Sequence, residues 1–166
     1  MTHDFFEAAQ LGDQVGVIDG GHVIQQGTAS ELAARPQSAF VADFTGAVVM
    51  TGTARRGGNG LTLIDLDGGG TVVSTDSASG QVAVSIYPWE IEIQPYEEVH
   101  GGSARNLLRG EITSLTAVGN RVRLGLSAGQ ELVAEITQAS AERLTLRVGA
   151  RVSASWKAAA TRVVPV

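Results

Sequence analysis

Ser103, Thr137, Ser140 and Lys157 are side chains whose types suit one shared task, the holding of a small anion. Hydroxyls, backbone N–H groups and an ammonium all donate hydrogen bonds, and a donor-only set is matched by a ligand whose oxygens only accept. Arg105 and Asn106, at the entrance to an expected strand, add backbone N–H groups, and Ser140 is expected to cap a single helical turn through Leu144. No Asp occurs from residue 103 to the end. An anion that kept a proton would want an acceptor, so such a site disfavours it. Taken singly, the same residues have plainer uses: Ser103 and Thr137 can satisfy turn backbones, Arg105 can sit in water and Lys157 can end a strand.

The charge distribution singles out the same half of the chain. The net charge of −5 is uneven: residues 1–102 hold three Arg/Lys against thirteen Asp/Glu, whereas residues 103–166 hold nine against four. The change falls at His100-Gly-Gly-Ser-Ala-Arg-Asn106 and suggests an anionic partner for the second half, or a solvated basic sheet. The absence of Cys excludes disulfides, thiolate metal sites and Cys nucleophiles. No window approaches the roughly eighteen apolar residues of a membrane-spanning helix, and Met1-Thr2-His3-Asp4 does not begin a signal peptide, so a soluble, intracellular chain without a metal site is expected.

The elements that must position these residues are mostly strands. Twenty-one Gly in 166 residues, with many Val, Thr and Ser, favour short strands and turns over long helices. Residues 1–45 mix periods: a helical stripe at Phe5, Ala8, Ala9 and Leu11, two strands joined at Asp19-Gly20-Gly21, a helix capped by Thr28 or Ser30, and a second at Ser38 to Phe44. That piece is too small to bury a core alone and reads as part of something larger. From Gly46 the pattern is β, with strands expected at 48–55, 61–66, 71–74 and 81–87, then at 111–117, 120–126, 131–138, 150–157 and 161–164. Four or five short strands with one helical turn, twice over, describe tandem small Greek-key barrels of the OB type. Gly80-Gln-Val-Ala-Val-Ser-Ile-Tyr-Pro-Trp89 parallels Gly149-Ala-Arg-Val-Ser-Ala-Ser-Trp-Lys157, a weak duplication that sets Pro88 against Lys157.

Two resemblances follow from motifs. Thr2-His3-Asp4, the helix beginning at Phe5, Asp13, Val17-Ile-Asp-Gly-Gly21 and Gly27 resemble the switch-histidine end of an ABC-transporter nucleotide-binding domain, with Ala29 where that family often has Pro. The resemblance assigns His3 the switch-histidine role in an intact parent ATPase using ATP and Mg²⁺. No G-x-x-x-x-G-K-[ST] phosphate loop occurs in the chain, and the acidic Mg²⁺-binding segment would precede residue 1, so the fragment itself is not expected to hydrolyse ATP or to bind a cofactor.

Ser103-Ala-Arg-Asn-Leu-Leu-Arg-Gly110 resembles the S-A-R-N opening of molybdate-binding Mop modules, members of the transport-associated OB (TOBE) group. The likeness continues through Glu135-Ile-Thr-Gln-Ala-Ser140, Leu144, Gly149 and Ser155-Trp-Lys-Ala158. It implies oxoanion-binding roles for Ser103, Ala104, Arg105, Asn106, Thr137, Ser140, Lys157 and Ala158, with molybdate or tungstate as ligand. Ala159 stands where many relatives carry Thr or Ser, so one hydroxyl is missing. The first repeat has no S-A-R-N and is acidic at Glu90, Glu92, Glu97 and Glu98, which suits a structural role.

Together these readings give a mainly β fold of tandem OB-like small β-barrels of the TOBE/Mop type, preceded by a short α/β remnant of an ABC nucleotide-binding domain. The expected divisions are 1–45 for the remnant, 46–99 for the structural repeat and 100–166 for the oxoanion-binding repeat. The resemblance implies a cytoplasmic regulatory domain, peripheral to the inner membrane, that senses intracellular oxoanion and inhibits import, pairs as a homodimer through its β modules and works with a membrane permease subunit. Direct nucleic-acid binding and membrane insertion are not expected. An OB-fold nucleic-acid binder and a dimerisation module with a decayed anion site remain as alternatives. Against the first, the only aromatic after residue 100 is Trp156, and stacking surfaces need several.

Overall fold

The computed structural model describes residues 1–97 and 103–166. The sequence boundary at His100-Gly-Gly102 and the carboxylate of Glu98 lie outside the described residues. Residues 1–45 form α1 (Phe5–Leu11), the hairpin β1 (Val15–Asp19) and β2 (His22–Gly27), α2 (Ala29–Ala34) and α3 (Ala39–Phe44). Each helix start is held by a side chain: Asp4 accepts from Glu7 N–H, Thr28 and Glu31 form a reciprocal capping box, and Ser38 accepts from Val41 N–H. A small cluster of Phe5, Val15, Val17, Leu32 and Val41 closes this piece.

The β-rich remainder consists of two five-strand repeats, each ending in a 3-10 turn before its fifth strand. The first is β3 (Val48–Arg56), β4 (Thr62–Leu66), β5 (Thr71–Ser74), β6 (Gly80–Ile86), the turn Pro88–Glu90 and β7 (Glu92–Pro95). The second is β8 (Asn106–Val118), β9 (Arg121–Ala128), β10 (Gln130–Thr137), the short α4 (Gln138–Arg143), β11 (Arg151–Trp156), the turn Ala158–Ala160 and β12 (Arg162–Val164). The sheet orders are β12-β6-β3-β4-β5 and β10-β9-β8-β11-β7. The fifth strand of each repeat therefore completes the other's sheet. Arg162 to Val164 pair with Ser85 to Ala83, and Val152 to Ser155 pair with Pro95 to Glu92. One buried cluster runs through both repeats, from Met50 and Ile64 to Leu124 and Trp156.

β7 is the strand absent from the sequence-based expectation. It is short, contributes two alternating apolar/polar pairs and ends on Pro95, which an edge strand tolerates because one side of its backbone needs no ladder partner. Its exchange also means that the division expected at 99/100 separates the two repeats along the chain without separating the two sheets. The turn after β6 is capped by Tyr87 and the turn after β11 by Lys157, so the equivalent of Lys157 is Tyr87, not Pro88. Strand pairing agrees, since Ile86 faces Val48 at the start of β3 just as Trp156 faces Asn106 at the start of β8.

Tyr87 uses that position to hold the N-terminal piece. Its phenol oxygen lies 3.1 Å from the Ala33 carbonyl oxygen and 3.0 Å from Thr45 Oγ1, and its ring stacks on Trp89 with centroids 4.4 Å apart. Burial pushes the Tyr87 phenol up, which keeps it protonated and able to donate at neutral pH. Tyr87→Phe is expected to loosen residues 1–45 from the barrels by about 1 kcal/mol while leaving the barrels folded. Hydrogen exchange should show this as faster exchange in α2 and α3 with β3, β6 and β8 unchanged. Among the described residues no helix is long and apolar enough to cross a membrane.

Candidate oxoanion site

The S-A-R segment enters β8 immediately beside the exit of β11, because Asn106 and Trp156 are ladder partners at the end of both strands. This register sets Ser103, Ala104 and Arg105 next to Lys157 and Ala158 without any long-range loop. Lys157 lies on a ridge between two clefts. One, of about 330 Å³, is lined by Ser103, Arg105, Lys157, Ala158 and Ala159 from the second repeat, and by Asn59, Leu61 and Thr75 from the first. The other, of about 410 Å³, shares Ser103 and Lys157 but is walled by Trp89, Glu90, Glu92 and Gln94, with Ala104 and Trp156 completing it.

The electrostatics of the two clefts differ in sign. The first offers a guanidinium, an ammonium, hydroxyls and an amide, with no carboxylate in its lining. The second places two carboxylates opposite the same ammonium. Among the described residues the ion pairs are Arg55–Asp65, Arg121–Glu135 and Arg162–Asp76, and neither Arg105 nor Lys157 is among them. By charge alone, an anion is better matched by the first cleft than by the second. Among the described residues no group of three or more His, Cys, Asp or Glu could hold a metal ion.

The structure brings together five of the eight residues assigned to the anion by sequence. Ser103, Ala104, Arg105, Lys157 and Ala158 surround the Lys157 ridge. Asn106 lies beneath it, 1% exposed, and its side chain serves another purpose: Oδ1 accepts from Val73 N–H at 2.7 Å, and Nδ2 donates to Val73 O at 3.0 Å and to Thr161 Oγ1 at 2.9 Å. Thr137 is exposed and Ser140 half-buried, and neither lines either cleft. They stand at the far end of β8, since Thr137 pairs with Arg121, which in turn faces Val118. Ser140 is also not the helix cap; Thr137 is, accepting from Ser140 N–H at 3.2 Å and donating to Ser140 Oγ at 3.0 Å. The helix begins three residues earlier than expected because the chain turns as soon as β10 ends. His3 is exposed, directly before the α1 cap, and lines neither cleft.

Asn59, Leu61 and Thr75 are the lining residues that sequence reasoning passed over. Asn59 carried a signal, since Gly57-Gly58-Asn59-Gly60 marks a turn at which a polar side chain is displayed, and Asn59 adopts φ +57° there. Thr75 carried none.

Comparisons with known proteins concern the sequence and fold of the chain. Residues 102–163 match the TOBE domain family. The chain is 34% identical, over 99% of its length, to the molybdate/tungstate import ATP-binding protein WtpC of Pyrococcus horikoshii, of which it covers 46%. It is 30% identical, again over 99% of its length, to the sulfate/thiosulfate import ATP-binding protein CysA of Burkholderia pseudomallei, of which it covers 45%. The chain thus spans somewhat less than half the length of these curated relatives. In fold it is similar to a crystal structure of the cytoplasmic molybdate-binding protein ModG with molybdate bound, with a TM-score of 0.62 over 72% of this chain and 96% of that one at 20% identity. The chain therefore carries a TOBE domain at residues 102–163, in a setting that matches the C-terminal region of molybdate/tungstate-type ABC importer ATP-binding subunits.

Proposed function

We propose that the chain is the regulatory, oxoanion-binding end of an ABC importer ATP-binding subunit, and that molybdate or tungstate bound at the Lys157 ridge reports intracellular oxoanion and slows further import. One observation carries the reading: Lys157, Arg105 and Ser103 converge on a cleft with no carboxylate in its lining, while Glu90 and Glu92 close the neighbouring one. The named activities of the relatives, molybdate/tungstate and sulfate/thiosulfate import, support an oxoanion of this class. In the intact subunit His3 would serve ATP hydrolysis with Mg²⁺ beside a membrane permease, at the cytoplasmic face.

Thr137 and Ser140 enter this reading through a second copy. Within one chain they stand at the opposite end of β8 from Lys157, so a two-fold homodimer through the β modules is the arrangement in which the α4 cap of one copy faces the cleft of the other. Feedback follows if the anion binds more tightly to the arrangement in which the ATPase domains are apart. The nucleic-acid reading loses its footing because Trp156 is 1% exposed, and the exposed Trp89 borders the cleft with Glu90 and Glu92.

Calorimetric titration with molybdate, tungstate, sulfate and phosphate tests the proposal. Molybdate and tungstate should bind, phosphate far more weakly, and Lys157→Ala should weaken molybdate by roughly 10–100-fold through loss of a charge-assisted hydrogen bond, with the dimer mass unchanged. Equal or undetectable heats for all four anions would overturn it.

A further inference from the structure

We propose that Thr75, in the first repeat, is a ligand of the oxoanion cleft and supplies the hydroxyl that position 159 lacks. The inference rests on the oxoanion reading above and names a residue that the second repeat's own motifs do not contain. Thr75 and Ala159 line the same cleft as Lys157, from opposite repeats. A Thr or Ser at 159 would have offered a donor there. Ala159 does not, and Thr75 brings an equivalent hydroxyl to the same space.

The turn that carries Thr75 is fixed on both sides of it and against the second repeat. Val73 is clasped through both its N–H and its carbonyl by the Asn106 amide. Ser74, wholly buried, donates to Thr161 O at 2.6 Å and accepts from Asp76 N–H at 3.0 Å. Asp76 accepts from Val163 N–H at 3.0 Å and from Arg162 at 3.2 Å. Residues 73, 74 and 76 are thus each tied to the β8 entrance or the β12 segment, and the tie at 76 pairs the one carboxylate of the turn with a guanidinium. Thr75 is the residue left facing outward, exposed, and among the described residues its hydroxyl makes no hydrogen bond within the protein. A donor held in place by its neighbours and unused by the fold costs little ordering entropy when a ligand accepts from it.

The strand exchange explains how the first repeat gains this role. Because β12 leaves the second repeat at Thr161 to join β6, it carries the β5–β6 turn up against the Ala158–Ala160 turn that presents Lys157. The first repeat has no anion motif of its own and acts as a wall of its neighbour's site.

Calorimetric titration of molybdate into the full chain and four variants tests the inference. Thr75→Val, which keeps the shape and removes the hydroxyl, should weaken binding about tenfold, and Thr75→Ser should leave it within about twofold. Adding Ala159→Thr to Thr75→Val should restore most of the loss, whereas Lys157→Ala should weaken binding roughly 10–100-fold, as expected above. Wild-type urea midpoints for the Thr75 variants would establish that the fold is intact. Thr75→Val binding like wild type while Lys157→Ala weakens binding would overturn the inference alone. A tenfold loss that Ala159→Thr fails to relieve would overturn it equally, and a wild-type chain that takes no oxoanion would remove both it and the reading beneath it.

Discussion

Replacing Asn106 with Leu is expected to destabilise the protein by about 3 kcal/mol, a loss of the size reserved for broken buried hydrogen-bond networks. Leu carries no hydrogen-bonding group, so the largest part of the cost lies in what it leaves behind. Val73 sits on β5, the edge strand of its sheet, and its N–H and carbonyl are satisfied by the Asn106 amide as if by another strand. Thr161 Oγ1 would also lose the Asn106 donor, although Trp156 Nε1 still reaches it at 2.9 Å. Asn106→Asp separates the amide's two jobs. Its carboxylate can still accept from Val73 N–H but opposes Val73 O, and at 1% exposure its hydrogen-bond partners among the described residues include no cation. The folded-state pKa of that Asp should therefore rise above its unfolded value of about 4. Between the two values the folded state binds the extra proton, so stability falls as pH rises through that window and recovers as pH drops. Urea denaturation should show Asn106→Leu displaced equally at pH 5 and pH 7, and Asn106→Asp closer to wild type at pH 5 than at pH 7. A midpoint for Asn106→Leu within experimental error of wild type would mean that the inter-repeat clasp contributes nothing.

Asn106 also shows where the sequence was legible and where it was not. The strands of both repeats apart from β7, the capped helices of residues 1–45 and the neighbourhood of Ser103 with Lys157 follow from local signals: turn glycines, alternation, Thr28 and Ser38 caps, and a motif at each end of one antiparallel pair. Partners far along the chain left no such trace. The S-A-R-N block offered the Asn106 backbone N–H to the anion but gave no sign that its side-chain amide is held by Val73, thirty-three residues earlier, a pairing visible only once β5 packs on β8. The exchange of β7 and β12 was hidden for the same reason, since a four-residue and a three-residue edge strand carry too little pattern to say which sheet they join. Thr137 was legible as a hydroxyl near the end of an expected strand, but not as the helix cap at the far end of β8 from Lys157.

Gly129→Ala should cost about 3–4 kcal/mol, from two sources that neighbouring variants separate. Gly129 has φ +85°, a conformation that costs an L residue about 1–2 kcal/mol, and a Cβ there would overlap the carbonyl of Gly68 in the other repeat. The two backbones touch because the turns after β4 and β9 meet where the repeats join, beside the Gln130 amide, which accepts from Thr51 N–H at 3.0 Å and donates to Thr51 O at 2.8 Å. Neither carbonyl nor turn can yield without breaking that clasp, so the steric share should fall well inside the range for core overpacking, about 2 kcal/mol. Gly68→Ala, whose Cβ would meet Gly129 backbone and Gln130 Cγ, carries the steric share without the positive φ and should cost about 2 kcal/mol. Gly119→Ala, at φ +61° with open space around it, carries only the strain and should cost about 1 kcal/mol. Equilibrium urea unfolding of the three variants should therefore rank them Gly129, Gly68, Gly119 in order of loss. A Gly68→Ala midpoint equal to wild type would show that the two turns do not pack, and with them would go the rigid seam that holds the first repeat's Thr75 against the second repeat's Lys157.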